Sequence, residues 1–337
     1  MRKNRKYMKR MTVYTLRSLL TLTLALHTTS FSQTEVSGSE LSGRGDRSSI
    51  ILVGDLQSTG FWERALFGEQ NDSARQAVLD KIAVEDPAFL IILGDIVSTG
   101  GNESRWEYFE KCARPIRERH IPIYAVPGNH EYFGGEEKGL KNFYRHIPLM
   151  ENTTRRAIRY KNIACILLNS NFKKMSRSEM DEQNTWYVRT LNEYQKDSSV
   201  ASIIVCCHHP PMTNSTIVSG NDDVRRDFVG PFLKTSKARL FFSGHCHSYE
   251  RFVEGGKTFI VTGGGGGARQ KVIAESVRQR HRDQFIGPEI RPFHFCRMTI
   301  EETTLRVSMV CLDSTLRGWT VADEITVEMA GELRIAD

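Results

Sequence analysis

The chain has 337 residues, 39% of them hydrophobic, 26% charged and only 10 of them proline. That is enough for one large domain or two small ones with a proper core, and it is not the composition of a disordered or collagenous chain. The 46 Lys and Arg against 40 Asp and Glu give a formal net charge of +6, but seven of the basic residues and none of the acids fall in the first 32 positions, leaving the remainder at −1. A protein-wide basic field has no support, and no nucleic-acid partner is expected.

The chain begins Met-Arg-Lys-Asn-Arg-Lys, continues through a short apolar run from Ser18 to Leu26, and reads Ser30-Phe31-Ser32 before Gln33. A basic start, a short apolar stretch and small residues at alternate positions describe a secretory signal peptide over residues 1–32, cut after Ser32. A secreted or periplasmic protein is therefore expected, with an uncleaved anchor as the alternative for the same stretch. The run is shorter than the ~20 residues a bilayer requires, so no integral span is expected after cleavage. Residues 33–48 are polar and Gly/Ser-rich, a linker whose Arg44-Gly45-Asp46 reads as chance. The folded domain is expected over 49–337.

From Ser49 onward short apolar runs alternate with turns and amphipathic stretches. Strands are expected at Ile50–Val53, Phe89–Leu93, Ile121–Val126, Ile163–Leu168, Ile203–Cys207 and Leu240–Ser243. Helices are expected at Ser73–Val84, Glu103–Arg119, near Leu140–Arg145, at Ser178–Lys196 and near Val224–Lys234. The remaining strands are Phe259–Thr262, Phe295–Ile300, Leu305–Val310 and Ile325–Met329. Strands alternating with helices imply βαβ units, and the all-β tail implies a second sheet that completes the core. Seven cysteines make an odd count with no zinc-like CxxC pair. Most lie inside apolar runs such as Ile203–Cys207, which reads as buried small hydrophobes rather than a disulfide framework.

Polar and acidic residues recur where the strands end, which is where open α/β sheets place their ligands. Asp55, Asp95, Asn129-His130, His208 and His245/His247 all follow apolar runs. Five of the nine histidines beyond residue 32 fall in the three late motifs. Taken singly each motif is weak: Gly-Asp is a common turn, Gly128-Asn129-His130 can be a turn alone, and His208-His209-Pro210-Pro211 can be a satisfied pair before a rigid loop. Gly244-His245-Cys246-His247 is stronger, because residues two apart on an extended chain point the same way and can share a metal.

In order, D…GD…GNHE…HHPP…GHCHSYER resembles the succession of the calcineurin-like metallophosphoesterase superfamily, and GHCHSYER at 244–251 resembles its purple acid phosphatase branch. The resemblance runs from about Ser49 to Gly267. It implies a four-layered α/β/β/α sandwich with two mixed sheets and a pair of metal ions at the strand ends. On that pattern Asp95 bridges, Asp55 and His247 serve the first metal, and Asn129, His208 and His245 serve the second. A metal-held hydroxide attacks phosphorus, and His130 holds the phosphate or protonates the leaving oxygen. His209 is left to loop packing or to support.

Two departures from the pattern matter. The common D-x-H is here Asp55-Leu56-Gln57, and the purple branch's Tyr three residues after the second Asp is here Ser98. The first metal thus lacks both usual fourth ligands, and Gln57 is the candidate in their place. Without a phenolate no purple colour is expected, and the metals stay open among Fe, Mn and Zn.

The expected function is hydrolysis of a small phosphorylated substrate, a monoester first and a diester as the alternative. A non-catalytic binding protein on this fold is the competing class. Gly263–Gly267 lacks a P-loop context and reads as a tight crossover beneath the site. Arg269, Lys271, Arg278, Arg280 and Arg282 rim a pocket or, as the blander reading, lie on a solvated helix face. Tyr132-Phe133 and Trp186-Tyr187 border a pocket or pack. Sequons stand at Asn71, Asn102, Asn152 and Asn214.

Overall fold

The computed structural model of the protein describes residues 47–60 and 69–330. The expected signal peptide, the linker up to Asp46 and its Arg-Gly-Asp lie outside the described residues. Among the described residues no helix is long and apolar enough to cross a membrane.

Among the described residues twelve strands form two six-stranded mixed sheets. The first sheet contains β1 (Ser49–Val53), β2 (Phe89–Ile92), β3 (Ile123–Ala125), β10 (His294–Ile300), β11 (Thr304–Leu312) and β12 (Trp319–Glu328), in the order β12-β11-β10-β1-β2-β3. The second contains β4 (Arg156–Tyr160), β5 (Ile163–Leu167), β6 (Ser202–Cys206), β7 (Ala238–Ser243), β8 (Tyr249–Glu254) and β9 (Lys257–Thr262), in the order β4-β5-β6-β7-β9-β8. β1, β2 and β3 run parallel, as do β5, β6, β7 and β9, with antiparallel strands added outside.

Alternation along the central strands builds the layers. In β5 and β6, Ile163, Cys165, Leu167, Ile204 and Cys206 enter the core between the sheets. Their neighbours Ala164, Ile166, Ile203 and Val205 enter a second core, which α4 (Arg177–Lys196) covers with Tyr187, Leu191 and Tyr194. A period of two sends successive side chains to opposite faces, and both faces are buried here, so these strands read as unbroken apolar runs. On the far side α1 (Asp72–Glu85) and α2 (Glu103–Glu118) cover the first sheet through Val78, Leu79, Ile82, Trp106 and Ile116. Helix, sheet, sheet, helix is the architecture that the motif order implied.

Several element expectations change. β4 and β8 were not expected: β4 is an Arg-bearing edge strand, and β8 carries the charged end of GHCHSYER. The last strand is Trp319–Glu328 rather than Ile325–Met329. Its alternate half-buried and exposed residues suit a sheet edge and leave little apolar signal. The helix near Val224–Lys234 is broken into Asp222–Val224 and Gly230–Lys234 by a π-turn at Arg225–Val229. Pro231 has no N–H to donate back into that turn. Residues 268–282 are no helix face. Apart from one turn at Ser276–Arg278 they are non-helical, held by bridges Ser215 to Val272 and Lys271 to Ile290.

Helix α3 (Glu136–His146) docks on α2 through its last residue. The His146 ring stacks on Trp106 at 5.2 Å and reaches Glu103 at 3.1 Å and Glu110 at 3.3 Å. Burial pulls its pKa down, but the bonds to Glu110 and Glu103 outweigh that and raise it above 6.5. The folded value thus exceeds the unfolded one, so the stabilisation is complete below pH 6.5 and is lost as pH rises through the raised value. His146→Leu is expected to lower the urea midpoint more at pH 5.5 than at pH 8.5, and equal losses at the two pH values would refute the ion-pair account.

Candidate metal centre

The two sheets meet at their strand ends. Gly54 N–H donates to Thr262 O at 2.9 Å, joining the end of β1 to the end of β9, and Asp55 N–H donates to Gly94 O at 3.0 Å. Gly244 N–H donates to His208 O at 2.9 Å. At these junctions Asp55 (φ 62°), Asp95 (φ 53°), His245 (φ 71°) and His247 (φ 44°) are all left-handed. That conformation costs about 1–2 kcal/mol per residue, and Asp and His are among the side chains found there more often. Four such residues at one place mark a site where the turn is held for the direction in which it aims a side chain.

The aimed side chains converge. His208 Nε2 lies 3.1 Å from His245 Nδ1, 3.2 Å from Asn129 Oδ1 and 3.3 Å from Asp95 Oδ2. A few ångströms away His247 Nε2 lies 3.5 Å from Asp55 Oδ1 and 2.9 Å from Gln57 Nε2. Ligand atoms of Asp55, Asp95 and His208 all fall within 4.8 Å of one another, which joins the two sets. Gln57 is buried, and its Oε1 has no hydrogen-bond partner.

The ring nitrogens settle which edges face inward. His208 Nδ1–H donates to Leu93 O at 2.8 Å and His247 Nδ1–H to Ala268 O at 2.7 Å. A carbonyl only accepts, so each ring carries a hydrogen on Nδ1 and turns its Nε2 edge to the centre, where the neutral form leaves Nε2 bare, the arrangement a metal requires. The charges ask for a cation too. Burial, with the charge of Asp95 added, pushes the Asp55 carboxyl well above its usual range. Burial acts on Asp95 in the same sense, but the His208 and His130 imidazoles outweigh it and hold its carboxyl well below. His208, which burial alone would lower, is pushed up to about 9 by Asp95. Burial and the charge of His208 push His245 down to about 3. Two crowded carboxylates that lean on an imidazolium, an orphaned amide oxygen and inward lone pairs fit a pair of metal ions.

His130 sits beside this centre. Its main-chain N–H donates to Asp95 Oδ1 at 2.9 Å, and its Nδ1–H donates to Ser98 O at 2.9 Å. Ser98 thus serves through its carbonyl rather than as a ligand. Nε2 of His130, 3.9 Å from Asp95 Oδ2, is bare in the neutral ring and donates only in the imidazolium form.

Residues given no role by the sequence turn out to frame the site. Glu131, fully buried, accepts N–H groups from Gly128 (2.6 Å), Asp95 (2.9 Å), Ile96 (2.9 Å) and Val97 (3.3 Å), so one carboxylate ties the second and third motifs together. Burial, with Asp95 nearby, pushes it up to about 7. The only sequence hint was its place in Gly-Asn-His-Glu. Glu250, also buried, accepts from Thr213 Oγ1 at 2.5 Å and Asn214 N at 2.7 Å. Glycine is needed where the loops touch: a Cβ on Gly128 would lie 2.2 Å from Asp95 Oδ1, and one on Gly267 would lie 2.7 Å from His247 Cε1. The glycine run from Gly263 is thus a close crossover against the site.

The basic segment is largely occupied elsewhere. Arg269 pairs with Glu69 at 2.7 Å, Arg278 with Glu275 at 3.6 Å and Lys271 with Glu289 at 3.7 Å. Tyr187 packs in the outer core and Tyr132 donates no surface, whereas Phe133 is 45% exposed with its ring 4.7 Å from that of His130. Two sequons are closed by burial. The Asn214 side chain is held to the His281 backbone at 2.7 and 3.0 Å, and that of Asn71 donates to Gly267 O at 3.0 Å. Asn102 and Asn152 are exposed. All seven cysteines are buried as free thiols.

Comparison with known proteins agrees with this fold. The chain is 20% identical over 226 residues to purple acid phosphatase 22 of Arabidopsis thaliana, covering 60% of this chain and 45% of that protein. It therefore spans less than half the length of that relative. The fold resembles purple acid phosphatase PPD1 of yellow lupin, with TM-score 0.63, 16% identity, and 85% of this chain and 54% of that one covered. It also resembles GAP50, described as the anchor in the inner membrane complex of Plasmodium, with TM-score 0.61, 15% identity, and 84% and 89% covered. A family model for the calcineurin-like phosphoesterase matches residues 48–249, the stretch that holds every converging side chain described above. Sequence order, sheet topology and site geometry therefore lead to one assignment: the chain belongs to the calcineurin-like phosphoesterase family.

Proposed function

We propose that the protein is a secreted, two-metal phosphoesterase that hydrolyses phosphate monoesters. The observation that carries this reading is the convergence of Asp55, Asp95, Asn129, His208, His245 and His247 with imidazole lone pairs turned inward. Asp95 would bridge. Asp55, His247 and Gln57, through its orphaned Oε1, would hold the first metal, and Asn129, His208 and His245 the second. Fe, Mn and Zn all suit this set of imidazole, carboxylate and amide donors. Bound there, the metals supply positive charge against the phosphoryl oxygens and make a water acidic enough to attack phosphorus.

The chain's own residues do the rest. Ser98 O fixes the His130 ring, and the imidazolium form gives its Nε2 proton to the leaving oxygen as the phosphorus–oxygen bond breaks. Monoester preference is supported by the purple acid phosphatase relative, and secretion by the first 32 residues. A diester substrate or a binding role keeps the same pocket, so the substrate has to be decided by assay.

Metal analysis after gentle purification is expected to give about two ions per chain, with no purple absorption band. The reconstituted protein is expected to turn over nitrophenyl phosphate faster than the bis-ester. Gln57→His is expected to tighten the first metal. A metal-free, inactive protein would support the binding role, faster turnover of the bis-ester would support the diester, and an unchanged affinity in Gln57→His would remove Gln57 from the ligand set.

A further inference from the structure

A third imidazole lies against the second donor set, with a ring nitrogen of His209 within 4.8 Å of ligand nitrogens of His208 and His245. The His209 ring is 4.5 Å from that of His245 and 4.8 Å from that of His208, nearly perpendicular to the latter at 84°. It is held at three points. Its main-chain N–H donates to Ser170 Oγ at 2.9 Å, its carbonyl accepts from Cys207 Sγ at 3.2 Å, and its Nδ1 lies 2.9 Å from the same Ser170 Oγ. Ser170 is itself 1% exposed and sits just beyond β5.

Ser170 Oγ accepts the main-chain N–H of His209, and when it gives its own hydrogen to Nδ1 the ring hydrogen sits on Nε2. Nε2 has no hydrogen bond to any described residue, yet it is not one of the buried atoms left without a partner. The half-buried ring therefore presents an open Nε2 beside the proposed metal ligands. Metal ligation is the poorer use of this group. Asp95, Asn129, His208 and His245 already give the second position four protein donors, with places still needed for water and substrate.

We propose that His209 carries its ring hydrogen on Nε2 and is a substrate-contacting residue whose Nε2–H holds a non-bridging phosphate oxygen at the second metal position. The inference rests on the phosphoesterase reading and deepens it. A phosphate bound there meets two imidazoles, each locked through its Nδ1, one to Ser98 O and the other to Ser170 Oγ. Lys173, on the turn Phe172–Lys174, adds positive charge close to His209, which suits an anion.

The test uses inorganic phosphate, titrated calorimetrically into the metal-reconstituted full chain, with metal content measured on the same samples. His209→Ala is expected to keep both metals and bind phosphate about tenfold more weakly, the loss of one hydrogen bond to a charged group. His209→Gln, which keeps an N–H donor, is expected to recover most of that affinity. Phosphate affinity unchanged in His209→Ala overturns the proposal, and so does the loss of a metal ion, which would make the ring a ligand. A wild-type chain that takes up no metal, or takes up metal but no phosphate, fails the phosphoesterase reading itself and is told apart by that wild-type measurement.

Discussion

Asp95→Asn is expected to abolish binding of both metals and to reduce turnover on the order of 10³-fold or more, the several kcal/mol that a metal's charge stabilisation supplies. The substitution is nearly isosteric. Asn can keep an oxygen for the His130 N–H now bonded to Oδ1 at 2.9 Å, so the loop need not move. What it loses is the charge between the two donor sets, where Oδ2 stands 3.3 Å from His208 Nε2 and the ligand atoms of Asp55, Asp95 and His208 share one small space. A second readout needs no metal: His208, held up at about 9 by Asp95, is expected to titrate lower in the variant, which NMR of the imidazole would follow. A variant with near wild-type rate and two bound ions would remove Asp95 from the bridging position and, with it, the joined-site account.

Glu131→Ala is expected to be the most damaging change away from the ligands themselves. It strands four main-chain N–H groups from two loops in a buried place. An unsatisfied buried donor costs about 1–3 kcal/mol, so even with water entering the cavity a loss on the order of 4 kcal/mol is expected, a large share of the ~5–15 kcal/mol that holds a domain folded. Glu131→Gln keeps one acceptor oxygen, and a loss about half as large is expected. Urea unfolding of the metal-free chain measures the stability term, and metal titration of the folded fraction measures whether Asn129 and Asp95 still meet. A midpoint for Glu131→Ala equal to that of the wild type would mean that the two loops hold each other without the carboxylate.

The converging side chains were legible because they are written as short, ordered strings at the ends of apolar runs, and strand ends are where parallel sheets leave side chains free. The frame around it was not. Glu131 and Glu250 are spelled inside the same strings, but their work is to accept main-chain N–H groups from segments far away in sequence, which no local pattern encodes. β4 and β8 were missed for a related reason: on a sheet edge, charged and apolar residues mix, and the period-two signal fades. The segment 268–282 carries enough charge to resemble a solvated helix, yet Val272 is 1% exposed and its backbone is bridged to Ser215.

By itself, then, the sequence determined the rhythm of strands and helices and the identity of the six converging side chains. Those depend on spacing of two or 3.6 residues and on runs of a few letters. The tertiary structure alone decided that the sheets meet at Gly54 and Thr262, that Gln57 turns an unpaired oxygen inward, that Ser98 acts through its carbonyl, that Asn71 and Asn214 are closed, and that His209 stands beside the second donor set. Each of these is a contact between residues widely separated along the chain, set by how two sheets pack and which buried polar groups then find partners, and that is a property of the assembled core rather than of any stretch of it.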